Sequence, residues 1–171
     1  ARQLPLVDAF VNGERKVFVV GSSWGYDEAV YMPYFNAHKE WKLIIASHEV
    51  NEARVASIIS QYEGVCVRYS TATIDEVRNA DCLIVDCYGL LSSIYRYGTM
   101  ALVGGGFGVG IHNVLEAAVY SIPVFFGPNN RKFQEVQQLK ACGGGLEIIA
   151  TCDFAEKSVI QECRTHRAVC P

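Results

Sequence analysis

Short apolar runs alternate along the chain with stretches whose apolar positions recur every three or four residues. The runs are Lys16–Val20 (KVFVV), Lys42–Ala46 (KLIIA), Val65–Tyr69, Cys82–Val85, Met100–Val103, Ile122–Phe126 and Leu146–Ile149. Runs of this length, rich in β-branched residues and closed by glycine or polar residues, predict buried strands. Because they are apolar on both alternating faces rather than on one, they belong in a parallel sheet covered on both faces.

The intervening stretches carry helix signals. Asp27–Glu40 has helical spacing, with Asp27 and Glu28 in the first turn where the dipole favours acids, and Pro33 inside it predicts a kink or a restart. Asn51 can cap a helix through Tyr62 whose apolar face is Val55, Ile58 and Ile59. Thr73-Ile74-Asp75-Glu76 is a capping box. Further helices are predicted over Leu90–Tyr97, from near Ile111, over Arg131–Ala141 ahead of Gly143-Gly144-Gly145, and over Asp153–Arg167. Residues 1–15 show a weak helical pattern (Leu4, Val7, Asp8, Val11) and read as a linker or packing helix, leaving 16–171 as the domain proper. Alternating strands and helices with right-handed crossovers give a doubly wound, Rossmann-like α/β fold with a parallel sheet of six to seven strands.

Composition narrows the function. A chain of 171 residues that is 50% hydrophobic can build one real core. Its net charge of −3 gives no basic footprint for nucleic acid. No apolar run approaches the roughly eighteen residues of a membrane span, and no signal peptide opens the chain. The seven cysteines (66, 82, 87, 142, 152, 163 and 170) are odd in number and include no C-x-x-C pair, so they read as reduced thiols in a cytoplasmic protein. Without an Asp-x-Asp pair or a His/carboxylate cluster, no metal is expected.

Candidate chemistry centres on Thr99–Pro128 (TMALVGGGFGVGIHNVLEAAVYSIPVFFGP). A strand running into the glycine-rich segment Gly104–Gly110 and then into a helix N-terminus can aim backbone N–H groups at an anion. The dinucleotide fingerprint fails, because the loop follows the fifth strand and the next acid, Glu116, comes six residues after Gly110. The P-loop fails as well, because Gly110 is followed by Ile111-His112 rather than Lys-Ser/Thr. If the helix starts near Ile111, His112, Asn113 and Glu116 share a polar face, with Val114, Leu115, Ala118 and Val119 on the buried side. Glu116 would then lie too deep in the helix to be a cap and could accept from a ribose diol, while the loop amides hold the phosphate. A tight crossover loop and a solvated helix acid are the alternatives.

At these residues the chain resembles the 3-deoxy-D-manno-octulosonic acid (Kdo) transferases of lipopolysaccharide assembly. The matching words are Gly21-Ser22-Ser23-Trp24 with Asp27-Glu28, Asp86 with Tyr88-Gly89-Leu90-Leu91 and Tyr95, Val103-Gly104-Gly105-Gly106-Phe107-Gly108, His112-Asn113-Val114-Leu115-Glu116, and Pro123-Val124-Phe125-Phe126-Gly127-Pro128. The resemblance implies a GT-B glycosyltransferase of two Rossmann-like halves, this chain being the C-terminal, donor-binding one. It implies CMP-Kdo as donor, a lipid A precursor as acceptor through an N-terminal domain, and action at the cytoplasmic face of the bacterial inner membrane. A start at Ala1, with the first strand only at Lys16, fits a cut at the interdomain linker.

Carried over by position, the donor contacts implied are Ser22, Ser23, Ser47, His48, Gly89, Leu90, Leu91, Gly105, Gly106, Phe107, Gly108, Asn113, Val114, Leu115 and Glu116. Leu90 replaces the family's acid and Ser47-His48 its Pro-Arg, while Ile111 and Ser121 stand where glycine is common. Transfer needs a base for the acceptor hydroxyl and stabilisation of departing CMP. The resemblance puts the base in the N-terminal domain, so the fragment alone is expected to bind donor weakly and transfer nothing, with no cofactor. The Gly105–Gly110 amides, the Ser22 and Ser23 hydroxyls, and His48 or Arg131 would serve the leaving group. Arg131 and Lys132 read equally as surface cations, and Asp86 as a ligand or a loop cap. Other readings are a sugar-nucleotide epimerase of the same architecture, a non-catalytic sugar-nucleotide-binding module and, last, a nicotinamide oxidoreductase.

Overall fold

A computed structural model describes residues 3–153, 156 and 157. Each of the seven apolar runs supplies a strand: β1 Lys16–Ser23, β2 Trp41–Ser47, β3 Cys66–Arg68, β4 Cys82–Ile84, β5 Met100–Val103, β6 Val124–Phe126 and β7 Gly145–Glu147. All pair in parallel, in the order β3-β4-β2-β1-β5-β6-β7. The doubly wound, Rossmann-like fold is therefore present. The edge strands β3 and β7 are shorter than their apolar runs or displaced from them, as strands with a ladder on one side only can be.

Strand alternation splits the core in two. Val17, Val19, Ile44, Leu83 and Ala101 face one layer, and Phe18, Val20, Leu43, Ile45, Ile84 and Leu102 the other. The first layer is covered partly by helix α1, Pro5–Val11, whose Val7 and Phe10 are buried and which packs on α4, Ile74–Asn79. Buried Lys42 of β2 joins these elements, donating to the carbonyls of Phe10 (2.8 Å) and Arg78 (3.2 Å).

Helix α2, Gly25–Ala37, runs continuously through Pro33 and does not restart there. The proline removes one backbone bond, but Tyr31, Met32, Tyr34 and Phe35 around it are all buried, and that packing holds the helix together. Helix α3, Glu52–Gln61, is capped as expected, Asn51 Oδ1 accepting from the Arg54 amide at 2.9 Å, although Ile59 turns outward, 39% exposed. The capping box of α4 also forms, with Thr73 and Glu76 exchanging side-chain and backbone bonds. The Leu90–Tyr97 stretch gives α5, Leu91–Ile94, and then a 3-10 turn, Tyr95–Tyr97. Later come α6, Leu115–Ala118, and α7, Gln134–Ala141. The helix expected over Asp153–Arg167 falls almost wholly outside the described residues, as do Cys163 and Cys170; Cys66, Cys82, Cys87, Cys142 and Cys152 are free thiols.

The chain passes from β4, on one side of β1, to β5, on the other. Loops leaving β1 and β5 therefore diverge at the carboxyl edge of the sheet, the switch point at which such sheets open a crevice. No described helix is long and apolar enough to cross a membrane.

Candidate functional site at the switch point

The first wall is the end of β1. Strand pairing runs beyond Val20 and slips between Gly21 and Ser23, with Ser22 in the left-handed region (φ 53°). This bulge turns Ser23 inward. Its Oγ meets Glu28 Oε1 at 3.3 Å and the Tyr31 hydroxyl at 3.0 Å. Glu28 is itself buried, held by Arg54 and by Gln61 Nε2 (3.1 Å). Burial raises its carboxyl above the ordinary range although Arg54 opposes. The Ser23 hydroxyl is thus committed to the interior and does not face a leaving group, which corrects the sequence reading. Ser47 is tied to the same corner, its Oγ donating to the Ser23 carbonyl at 3.3 Å.

The second wall is the glycine loop after β5, and its amides are largely spoken for. Asp27, fully buried, accepts from Gly105 N (3.0 Å) and from Trp24 N (2.8 Å), so one carboxylate fastens the two walls together. Its burial raises the carboxyl, against the pull of the Gly105, Trp24 and Phe107 amides. Gly108 and Gly110 donate to the Gly105 carbonyl at 3.0 and 2.9 Å, and Gly104 to that of Gly21 at 2.8 Å.

With the Phe107 amide also on Asp27 and Val109 N on the Tyr26 hydroxyl (3.5 Å), the expectation that the Gly105–Gly110 amides point at a phosphate is corrected for all of them but Gly106. The glycines answer a packing need instead. Gly105 has φ +91°, and a Cβ there would lie 2.2 Å from the Gly110 carbonyl oxygen. At Gly106 a Cβ would lie 2.6 Å from Gly127 N, because the two main chains cross in contact. Asn129 braces the same loop, donating from its amide to Gly106 O (2.8 Å) and from Nδ2 to Gly108 O (2.7 Å). Phe107 is half-buried against the second core layer.

The helix after the loop starts later than expected, at Leu115 rather than near Ile111. His112, Asn113 and Glu116 thus do not share a helical face, and Glu116 lies in the first turn. Ile111 and Val114 are buried in the core, and burying them holds 111–114 as a loop against the sheet. Asn113 instead spans the start of α6, its Oδ1 accepting from Leu115 N (3.0 Å) and its Nδ2 reaching Glu116 Oε1 (3.3 Å). Leu115 and Val119, expected inside, are 51% and 72% exposed. Ser121, which ends this segment, adopts the left-handed conformation where glycine is common (φ 58°).

His112 turns towards β1. Trp24 Nε1 donates to His112 Nε2 at 3.0 Å, and His48 stacks on both rings, at 4.3 Å on Trp24 and 4.5 Å on His112. Burial, and then His48, lower the His112 imidazole below its ordinary value. Trp24 is the residue that sequence reasoning passed over as a side chain. A large indole in a polar loop directly after a strand was the available signal.

On the other side of β2, Gly89 has φ +80°, Leu90 is buried in the first core layer and Leu91 opens α5. Leu90 therefore offers no side chain to a ligand. The Tyr88 hydroxyl accepts from Val50 N (3.3 Å), setting this segment beside the His48 loop, and Tyr120 donates to the Ser92 carbonyl (2.8 Å), tying α6 to α5. Glu116 acts on Tyr95, adding to the burial that raises that phenol.

Asp86 is a structural cap. Its carboxylate accepts from Arg68 Nε (2.8 Å) and from Ser70 N (2.9 Å) and Oγ (2.5 Å). Arg131 and Lys132 are exposed and lie in the turn ahead of α7, not in its first turn. The structure thus brings Ser22, Ser47, His48, Gly105–Gly108, Asn113 and Glu116 to one edge, with Ser23, Leu90 and Val114 behind it as support. Among the described residues no cluster of three His, Cys, Asp or Glu can hold a metal.

No protein-family model matches the chain. It is 30% identical over 109 residues to a 3-deoxy-D-manno-octulosonic acid transferase of Aquifex aeolicus, covering 63% of this chain and 30% of that protein. It is 32% identical over 132 residues to the transferase of the same name from Rickettsia prowazekii, covering 71% of this chain and 27% of that protein. The matched stretch is thus under a third of these relatives' length. In three dimensions the chain resembles the C-terminal CMP-Kdo binding domain of WaaA from Acinetobacter baumannii, with a TM-score of 0.72, 19% identity and 98% of each chain covered, which shows a shared fold.

Proposed function

We propose that this chain, a sequence relative of the Kdo transferases, is the donor-binding domain of a GT-B enzyme that moves Kdo from CMP-Kdo to a lipid A precursor. One observation carries the reading. The family words Gly21–Trp24, Ser47-His48, Gly104–Gly108 and His112–Glu116 converge on a single switch-point crevice, where an α/β sheet takes nucleotide. Glu116, in the first turn of α6 and steadied by Asn113, is assigned to the ribose diol. The outward faces of Gly106, Phe107, Ser22 and His48 are assigned to the phosphate and sugar.

The base for the acceptor hydroxyl belongs to a second domain, and the reading calls for no resident cofactor. Action at the cytoplasmic face of the inner membrane goes with this reading and rests on the resemblance alone. Calorimetric titration tests it: CMP is expected to bind and UDP is not, and Glu116→Gln is expected to weaken CMP about tenfold through loss of a charged hydrogen-bond acceptor. Tighter binding of UDP would favour an epimerase and overturn the assignment.

A further inference from the structure

Trp24 is engaged in a way that neither the resemblance nor the donor assignment uses. Its indole N–H, which can only donate, points at one nitrogen of His112, 3.0 Å away. That nitrogen, Nε2, must hold a lone pair, so the neutral ring carries its proton on Nδ1. Nδ1 hydrogen-bonds to no described residue and is not sealed from water, His112 being half-buried.

Two neighbours crowd the ring. His48 covers one face at 4.5 Å and 24°, and the edge carrying Cδ2 would lie 3.0 Å from a Cβ at Gly105. Of the ionisable groups around it, His48 faces the ring from the β2–α3 loop, and Asp27 holds the Gly105 amide. Trp24 and the loop Gly104–Gly110 contribute none of their own.

We infer that Trp24 is a positioning residue, locking His112 as a neutral imidazole that presents its Nδ1–H as a hydrogen-bond donor to an anionic oxygen of the bound nucleotide sugar. This rests on the donor-site reading and adds a residue to it. A neutral donor of this kind serves an anion without gaining or losing charge across the physiological range. The Trp24–His112 bond and the cover of His48 both disfavour the doubly protonated ring, which could not accept at Nε2.

Nitrogen-15 NMR of the histidines in the unliganded chain tests the lock directly. The expected wild-type spectrum has His112 with a protonated Nδ1 and a bare Nε2, persisting as the pH is lowered through the ordinary histidine range. Trp24→Phe keeps the ring stack and removes the N–H; it is expected to mix the two tautomers and to let His112 protonate at a higher pH. An Nε2-protonated His112 in the wild type, or an unchanged spectrum in Trp24→Phe, overturns the lock whether or not the variant binds anything.

The ligand half is read with CMP, cytidine and free Kdo. Trp24→Phe is expected to bind CMP about fivefold more weakly, the loss of one well-placed hydrogen bond, and to acquire a pH-dependent affinity. A phosphate contact predicts no change for cytidine, and a carboxylate contact predicts the loss with Kdo. Equal affinities for all ligands in both proteins overturn the role of the Nδ1–H. Failure of the wild-type chain to bind CMP overturns the donor-site reading itself.

Discussion

Two aspartates at the same edge of the sheet hold loops in place by opposite electrostatics. Asp27 is fully buried and gathers backbone amides from both walls of the crevice, and burial leaves its carboxyl raised. Asp86, beyond β2, is opposed by burial too. There Ser70 and Arg68 outweigh it, and the carboxyl lies below its ordinary value. The wall of the site is therefore built from close backbone contact and tolerates little charge, whereas the remote edge is pinned by an ion pair backed by Glu52.

The sharpest way to break the crevice wall is Gly105→Ala. It meets both a left-handed backbone and a contact at 2.2 Å, and it is expected to cost about 4 kcal/mol in denaturant unfolding and to remove CMP binding. Asp27→Ala comes next, at about 3 kcal/mol, because it leaves the buried Gly105 amide and the part-buried Trp24 amide unpaired. Asp86→Ala should cost about 1 kcal/mol, since its arginine partner is partly solvated and such pairs are screened, and it should leave CMP affinity unchanged. The smallest effect has the other sign: Ser121→Gly relieves a left-handed serine and should stabilise by about 0.5 kcal/mol.

Acid titration of stability sharpens the same contrast. Asp86, with its carboxyl depressed below 3.8, contributes stability that is complete above that pH and lost as pH falls through the folded value. For Asp27, raised above 3.8, the contribution is complete below that pH and lost as pH rises through the folded value. Asp86→Ala is thus expected to flatten the loss of stability in acid, and Asp27→Ala to steepen it. Equal slopes in the two variants would show that the carboxylates do the same work. His112 follows Asp86 in sign: depressed below 6.5, it withdraws support as the medium acidifies through its folded value.

Much of this was legible in the chain. Seven apolar runs located seven strands because a parallel sheet buries both faces, and Asn51 and Thr73 named their helix caps because the bonds they make are local. Ser121 announced its backbone conformation by standing where glycine is common. What could not be read was non-local. That Ser23 turns inward depends on a bulge at Ser22 and a buried acid on α2. The late start of α6 depends on Ile111 and Val114 finding room in the core. Trp24 meets His112 across 88 residues of sequence, and no spacing rule connects them.

The crossing of Gly106 over Gly127 bears on how sequences of this kind are to be interpreted. Each residue blocks a side chain on the other by backbone atoms, at 2.6 Å from one side and 2.4 Å from the other, so neither position can be rescued by changing its partner. A glycine held this way would be retained in any relative that keeps the crossing, including one that has lost its ligand. Glycine at these two sites therefore reports the fold, and the polar residues around them are what bear on nucleotide binding.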